Sequence, residues 1–268
     1  MQSVIFIHGA WATPRCWRFI APIFAESGYR TLAPAWPLKR RPVCEQLADP
    51  DPRLARIGIP EIVAYFKSII RDQPAPPVLI GHSFGGLIVQ LLLDQGLGAA
   101  GIAISSVPPR GVPALGGSPR KAVKRLWELF GAPSTWRGLV PPPKPDAEEA
   151  ARRQAQGIEP QLVPESRRIF WQLVTRAAAV NFANPRRAPL LLIACGRDRC
   201  LPAEASRRNW ECYSVSPART DFAYFPELSH LSIGEPGYEN LAAHCLAWTN
   251  ARVKAAFLPA ADAGELAA

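Results

Sequence analysis

The stretch Val78-Leu79-Ile80-Gly81-His82-Ser83-Phe84-Gly85-Gly86 decides the fold. Three successive apolar residues read as a strand buried on both faces. Gly81–Gly85 then matches G-x-S-x-G, and residues from about Phe84 to Gln95 predict a helix. A strand that turns sharply into a helix through this pattern lifts its serine above the sheet edge. The turn strains the serine backbone, so the residues two before and two after it must be small. Gly81 and Gly85 meet that demand, and Gly86 lets the helix pack close to the sheet. The helix N-terminus behind Ser83 favours negative charge developing there. A glycine-rich turn with an incidental serine is the alternative, and the flanking strand and helix weigh against it.

Working outward, the same alternation continues on both sides. Val4-Ile5-Phe6-Ile7 is a fully apolar strand, and Thr13 with Pro14 predicts a helix start carrying Trp17, Ile20, Ala21 and Phe24. Arg30–Ala33 is a weaker strand. Pro60 opens a helix whose Ile62, Val63, Phe66, Ile69 and Ile70 share a face. Gly101–Ser105 is the next strand. Strand, helix, strand, helix in this order implies a parallel sheet covered by helices on both faces. From Pro108 to Pro189 no buried strand is read. Three helices are expected there instead, at about 118–131, 146–156 and 164–183. Leu190–Ala194 resumes the sheet, Phe222–Phe225 is its last strand, and Pro236 opens a terminal helix to about Ala255. The expected organisation is therefore a core in two parts, 1–107 and 190–258, an inserted helical cap at 108–189, and a flexible tail at 259–268.

The 268 residues are 48% hydrophobic and 20% charged, a globular balance that excludes wholesale disorder. No apolar run approaches the ~20 residues of a membrane helix. Met1-Gln2-Ser3 leads straight into a strand and offers no basic signal-peptide start. Six cysteines are scattered without a CxxC pair, which reads as a reduced, cytoplasmic protein with buried thiols. His8, His82, His230 and His244 show no metal-ligand spacing, so no metal and no cofactor are expected.

A serine hydroxyl is a weak nucleophile near neutral pH and needs a base with an orienting acid. Asp198 follows the strand 190–195, and His230 follows the last strand, both at the C-terminal edge where open α/β sheets bind ligands. Asp198 could alternatively serve only to pair with Arg197 or Arg199. A tetrahedral oxyanion needs two fixed backbone donors. Phe84 N–H, directly after Ser83, is one candidate. Ala10 N–H, in the loop His8-Gly9-Ala10-Trp11 after the first strand, is the other. His8 reads as a brace for that loop, and His82 is held by the turn rather than placed as a base.

Together these segments resemble the α/β-hydrolase superfamily of serine esterases. The resemblance rests on His8-Gly9-Ala10, Gly81–Gly85, the G-x-D-x-x-x-P segment from Gly196 through Asp198 to Pro202, and His230, and spans roughly residues 3–252. It implies an α/β-hydrolase fold of about six parallel strands, with the first two family strands missing and the cap inserted after the fourth strand of this chain. Short-N-terminus members such as plant methylesterases are similar in Gly9-Ala10-Trp11. Related hydroxynitrile lyases carry a Lys after the histidine, where this chain has Leu231. Haloalkane and epoxide hydrolases use an Asp nucleophile, where this chain has Ser83. The resemblance thus implies ester or lactone hydrolysis through an acyl-enzyme, with C–C hydrolase, thioesterase and ligand-receptor roles as alternatives.

The expected substrate is a bulky apolar or natural-product ester, a macrolactone among them, met by Trp11, Trp17, Trp127, Phe170 and Trp171. Packing of the cap on the sheet is the competing role for each cap aromatic. The net charge of +9 raises nucleic acid as a partner, but no recognition motif accompanies it. The partner is expected to be a small molecule, with neither nucleic acid nor membrane, and the protein a monomer or homodimer. Residues 108–189 hold 14 basic and 6 acidic residues and 13 of the 29 prolines. The cap is thus basic and the core nearly neutral, either as a solvated exterior or as a field that steers an anionic substrate.

Overall fold

The computed structural model describes residues 1–112, 138–142 and 162–253. Six strands form one parallel sheet. In chain order the first four are β1 (Ser3–Ile7), β2 (Arg30–Leu32), β3 (Val78–His82) and β4 (Ala100–Ile104). Two short segments, β5 (Leu139–Val140) and β6 (Glu165–Ser166), pair antiparallel outside that sheet. The sheet then resumes with β7 (Leu190–Cys195) and β8 (Thr220–Phe225). Its spatial order is β2-β1-β3-β4-β7-β8. This is the α/β-hydrolase fold, with the insertion lying between β4 and β7.

The apolar runs behave as their composition requires. Every residue of β1, β3, β4 and β7 is buried. Alternate side chains feed two cores: Ile5 and Ile7 pack with Phe84 and Leu87, while Val4 and Phe6 pack with Trp17 and Phe24. The helices covering these faces are α1 (Ile20–Glu26), α2 (Val43–Ala48), α3 (Ile59–Arg71), α4 (Phe84–Asp94), α5 (Arg167–Gln172), α6 (Ala203–Cys212) and α7 (Tyr238–Val253). Helix α3 buries Ile59, Ile62, Val63, Phe66 and Ile70, close to its expected face. Helix α4 is buried from Phe84 to Leu93, because it lies directly behind the central strands.

Three expectations are corrected. The first helix is split. Pro14–Trp17 forms a 3-10 turn, and α1 begins only at Ile20; Thr13 is extended but its hydroxyl makes no capping bond. Second, the insertion does contain strand pairing, in β5 and β6 and in a parallel bridge between Arg110 and Ala179. Third, the helix expected at 164–183 shrinks to α5 and a 3-10 turn at Arg176–Ala178. Side-chain caps account for this: Ser166 accepts from Arg168 N–H and Thr175 from Ala177 N–H, so each hydroxyl starts a new, short element. The expected helices at 118–131 and 146–156 and the tail at 259–268 lie outside the described residues. Helix α2 is only six residues long and α6 is mostly polar, so neither stands out in the sequence.

Chain order around β1 positions the site. From β1 the chain passes to β2 on one side, then returns to β3 on the other. The chain therefore leaves β1 and β3 toward opposite sides of the sheet, the switch point at which such sheets bind ligands.

Candidate active site

Ser83 stands at the bend between β3 and α4, with φ 56° and ψ −120°. A left-handed backbone at a serine costs on the order of 1–2 kcal/mol and persists only where its surroundings enforce it. Ser83 N–H donates to Ile104 O at 2.9 Å, and Ser83 O accepts from Gly86 N–H and Val107 N–H at 3.0 Å each. The flanking glycines leave no room for anything larger. A β-carbon on Gly81 would lie 2.2 Å from Gly85 O, and one on Gly85 2.0 Å from Ile7 O.

The structure brings Ser83, His230 and Asp198 together from three separate loops. His230 Nε2 lies 3.1 Å from Ser83 Oγ, and His230 Nδ1 lies 2.8 Å from Asp198 Oδ2. A carboxylate can only accept, so Nδ1 carries the proton and Nε2 accepts from the serine hydroxyl. Asp198 Oδ1 accepts from Cys200 N–H at 2.8 Å and Leu201 N–H at 2.7 Å. Burial raises the Asp198 pKa, but the charge and hydrogen bond of His230 and the Leu201 N–H outweigh it, so the carboxyl sits below its usual range. Arg197, one alternative partner for Asp198, pairs with Glu227 on the surface. The Asp198, Cys200 and His230 ligand atoms lie within 4.8 Å of one another, and Asp198 and His230 are already occupied by each other.

His230 is braced from behind. His82 Nε2 donates to the His230 carbonyl at 2.8 Å. Burial, then the neighbouring His230, push the His82 pKa down to about 3, so His82 is neutral. The loop itself is held by buried Glu235, which accepts from Ser229 N–H at 2.5 Å and Ser229 Oγ at 2.8 Å.

The loop after β1 lies directly against Ser83. A β-carbon on Gly9 would sit 3.0 Å from Ser83 Cβ and 3.4 Å from Ser83 Oγ. Gly9 O accepts from His8 Nδ1 at 2.9 Å and from Ala12 N–H at 3.3 Å. In a trans peptide the N–H points opposite its C=O, so these bonds fix the direction of Ala10 N–H. His8 Nε2 accepts from Trp36 N–H at 3.1 Å, and the two rings stack at 4.9 Å. Burial first, then the Lys39 charge, lower the His8 pKa to about 3. His8 is thus a neutral brace. Among the described residues, neither Ala10 N–H nor Phe84 N–H donates to a protein acceptor.

The expected substrate aromatics separate. Trp11 and Phe170 stack at 4.8 Å, and Phe170 meets Phe84 edge-on at 6.1 Å. These three form a continuous apolar wall from the insertion to the elbow. Trp17 is instead a core residue, 1% exposed and 5.0 Å from Phe6, in the cluster that excludes Phe84 and Phe170. Its position in the 3-10 turn aims it under the sheet. Trp171 is 48% exposed, one residue round the helix from Phe170. Trp127 lies outside the described residues.

Two buried charges escaped sequence reading. Lys39 and Glu165 form an ion pair at 2.5 Å with both side chains fully buried. Burial lowers the Lys39 pKa, and Glu165 opposes that shift. Lys39 sits in the basic run Lys39-Arg40-Arg41, which looks like solvated surface, so nothing local marks it.

A strained serine at an elbow and a histidine between it and a buried aspartate make up a hydrolase-type arrangement. The sequence profile of the alpha/beta hydrolase family matches residues 4–243, and the chain belongs to that family. No curated protein matches it. Among solved structures, it is similar to a pyrethroid hydrolase from Sphingobium faniae JZ-2, with 19% identity and a TM-score of 0.67 over 94% of this chain and 99% of that one. A monoacylglycerol lipase from Paleococcus ferrophilus gives 20% and 0.65, over 93% and 94%. A methylesterase from Arabidopsis gives 15% and 0.60, over 93% and 99%. At these identities the likeness establishes the fold.

Proposed function

We propose that this protein is a serine carboxylic ester hydrolase. The observation that carries the reading is the continuous relay from Ser83 Oγ through His230 to Asp198, at 3.1 and 2.8 Å. His230 Nε2 takes the hydroxyl proton as Ser83 Oγ attacks the ester carbonyl. Ala10 N–H and Phe84 N–H hold the oxygen that becomes negative. The intermediate collapses, the C–O bond to the alcohol breaks, and His230 returns the proton to the leaving alkoxide. Water then attacks the acyl-Ser83 carbonyl with His230 again as base, releasing the acid. Asp198 keeps the imidazole in the productive tautomer and offsets its transient charge.

The wall formed by Trp11, Phe84 and Phe170 supports an apolar acyl or alcohol group, in a natural-product ester or lactone. The similar solved structures carry the names pyrethroid hydrolase, monoacylglycerol lipase and methylesterase, which supports a hydrolytic reading of this site. Residues 108–189 act as the cap, and their basic excess suits esters carrying a remote anionic group.

The test is a panel of p-nitrophenyl esters, aryl esters and macrolactones assayed with wild type and Ser83→Ala, beside labelling by a fluorophosphonate probe. Turnover of at least one ester, its loss in Ser83→Ala and probe attachment at Ser83 are expected. Undiminished ester turnover by Ser83→Ala overturns the reading.

A further inference from the structure

Lys39 and Glu165 are the one ion pair among the described residues with both side chains wholly excluded from solvent. Removing two such charges from water costs several kcal/mol per ion, and apolar replacements of buried pairs are often as stable or more so. Stability alone therefore does not account for this pair.

Its geometry points elsewhere. Glu165 Oε2, the oxygen bound by Lys39, also accepts from Trp11 N–H at 3.3 Å, while Oε1 accepts from Ser166 N–H at 2.9 Å. Trp11 is held at two further atoms. Its carbonyl accepts from Val163 N–H at 2.7 Å, and its indole Nε1 donates to Val140 O at 3.3 Å. All three partners belong to β5, β6 or the residue run leading into β6, which lie between β4 and β7. Trp11 itself has φ 57°, a left-handed backbone that a tryptophan adopts only under such constraint. Trp11 directly follows Ala10. The peptide before Ala10 is directed by His8, and the one after it by Glu165.

We propose that Glu165, itself held by Lys39, is a positioning residue that sets the oxyanion loop through the Trp11 backbone. The inserted segment then does more than cover the site: it completes the donor geometry that the core loop cannot hold alone. This rests on the serine-hydrolase reading above, because it assigns Ala10 N–H to the oxyanion. A backbone donor placed before the reaction begins acts on the transition state more than on the bound substrate. Its misplacement should therefore appear in kcat.

Two double variants isolate the effect. Lys39→Met with Glu165→Met removes both charges and the acceptor for Trp11 N–H. Lys39→Met with Glu165→Gln removes both charges but keeps an oxygen acceptor. The Met–Met protein is expected to lose kcat tenfold or more with KM within twofold, and to lose affinity for an arylboronic acid, a tetrahedral mimic, by a similar factor. The Met–Gln protein is expected to recover most of that loss. Equal kcat in the two double variants overturns the proposal. Glu165→Asp keeps the buried charges but withdraws the carboxylate by one methylene. It serves where the Met–Met protein does not fold: the same kcat loss at unchanged KM is expected, and wild-type kcat overturns the proposal. Ser83→Ala, run on the same ester, separates the two levels. Full activity there removes the serine-hydrolase reading, whereas its inactivity beside unaffected Glu165 variants removes only the positioning role.

Discussion

His82 Nε2 donates to the backbone carbonyl of His230 at 2.8 Å, and the two rings lie 4.8 Å apart. The residue before Ser83 thereby ties the elbow to the loop carrying His230. His82 is held neutral, so it can donate steadily without adding a charge beside the imidazolium that the proposed mechanism forms at His230. Substituting His82→Phe removes the donor and strands the carbonyl. A fall in kcat of roughly tenfold, or about 1.4 kcal/mol of barrier, is expected with KM nearly unchanged. Steady-state kinetics on one activated ester check this; a variant with wild-type kcat would show the bond to be structural only.

Asp198 offers a sharper test of tautomer control. In Asp198→Asn, the amide oxygen is claimed by Cys200 N–H and Leu201 N–H, which leaves the NH2 facing His230 Nδ1. The imidazole must then carry its proton on Nε2 and cannot accept from Ser83. Loss of kcat on the order of 10³–10⁴-fold at pH 7.5 is expected, with a folded protein. Circular dichroism beside the assay separates this from unfolding.

Gly9 presses on Ser83. A β-carbon there meets Ser83 Cβ at 3.0 Å, tighter than ordinary contact, so one of the two loops must shift by tenths of an ångström. Gly9→Ala should lower kcat roughly tenfold, since small displacements of reacting groups are expensive. A change in Tm without a change in kcat would contradict it.

Acid stability follows from the two buried histidines. His8 and His82 both have folded pKa values of about 3, below the ordinary 6.5. Below pH 6.5 the unfolded chain takes up protons that the folded protein refuses. Their contribution is therefore fully present above pH 6.5 and is lost progressively as pH falls toward 3. By pH 5 the loss amounts to roughly 2 kcal/mol per histidine. Urea unfolding at pH 7, 6 and 5 should show a declining midpoint, before most carboxylates titrate. A midpoint independent of pH over that range would refute the assignment.

The basic insertion predicts a salt effect. With 14 basic and 6 acidic residues in 108–189, kcat/KM for an anionic ester should fall about threefold or more as ionic strength rises from roughly 0.01 to 0.3 M. A neutral ester of the same size should change little. Parallel slopes for the two substrates would leave the charge as a solvated exterior.

Local order explains which features could be read in advance. Val4–Ile7, Val78–Ile80 and Leu190–Ala194 are apolar without interruption, and a strand buried on both faces requires that. The elbow was equally plain, because the steric limits at Gly81 and Gly85 act over a few residues. Asp198 and His230 were reached by their place after strands, which chain order alone supplies. The insertion was harder. Its hydroxyl caps at Ser166 and Thr175 break what periodicity suggested as one helix. Trp17 reads the same from sequence whether it lines a pocket or fills a core, and packing on Phe6 assigned it to the core.

By itself, then, the sequence determined the parallel sheet, the strained serine and the three residue types of the relay, because each follows from short-range sterics or from strand order. Beyond His8, which reads as a brace from its place after the first strand, tertiary structure alone decided which groups brace them. Glu165 and Trp11 are 154 residues apart, and His82 and His230 are 148 apart. No local pattern can encode such pairings, because they form only when the completed sheet brings its loops to one edge and excludes water from the charges between them.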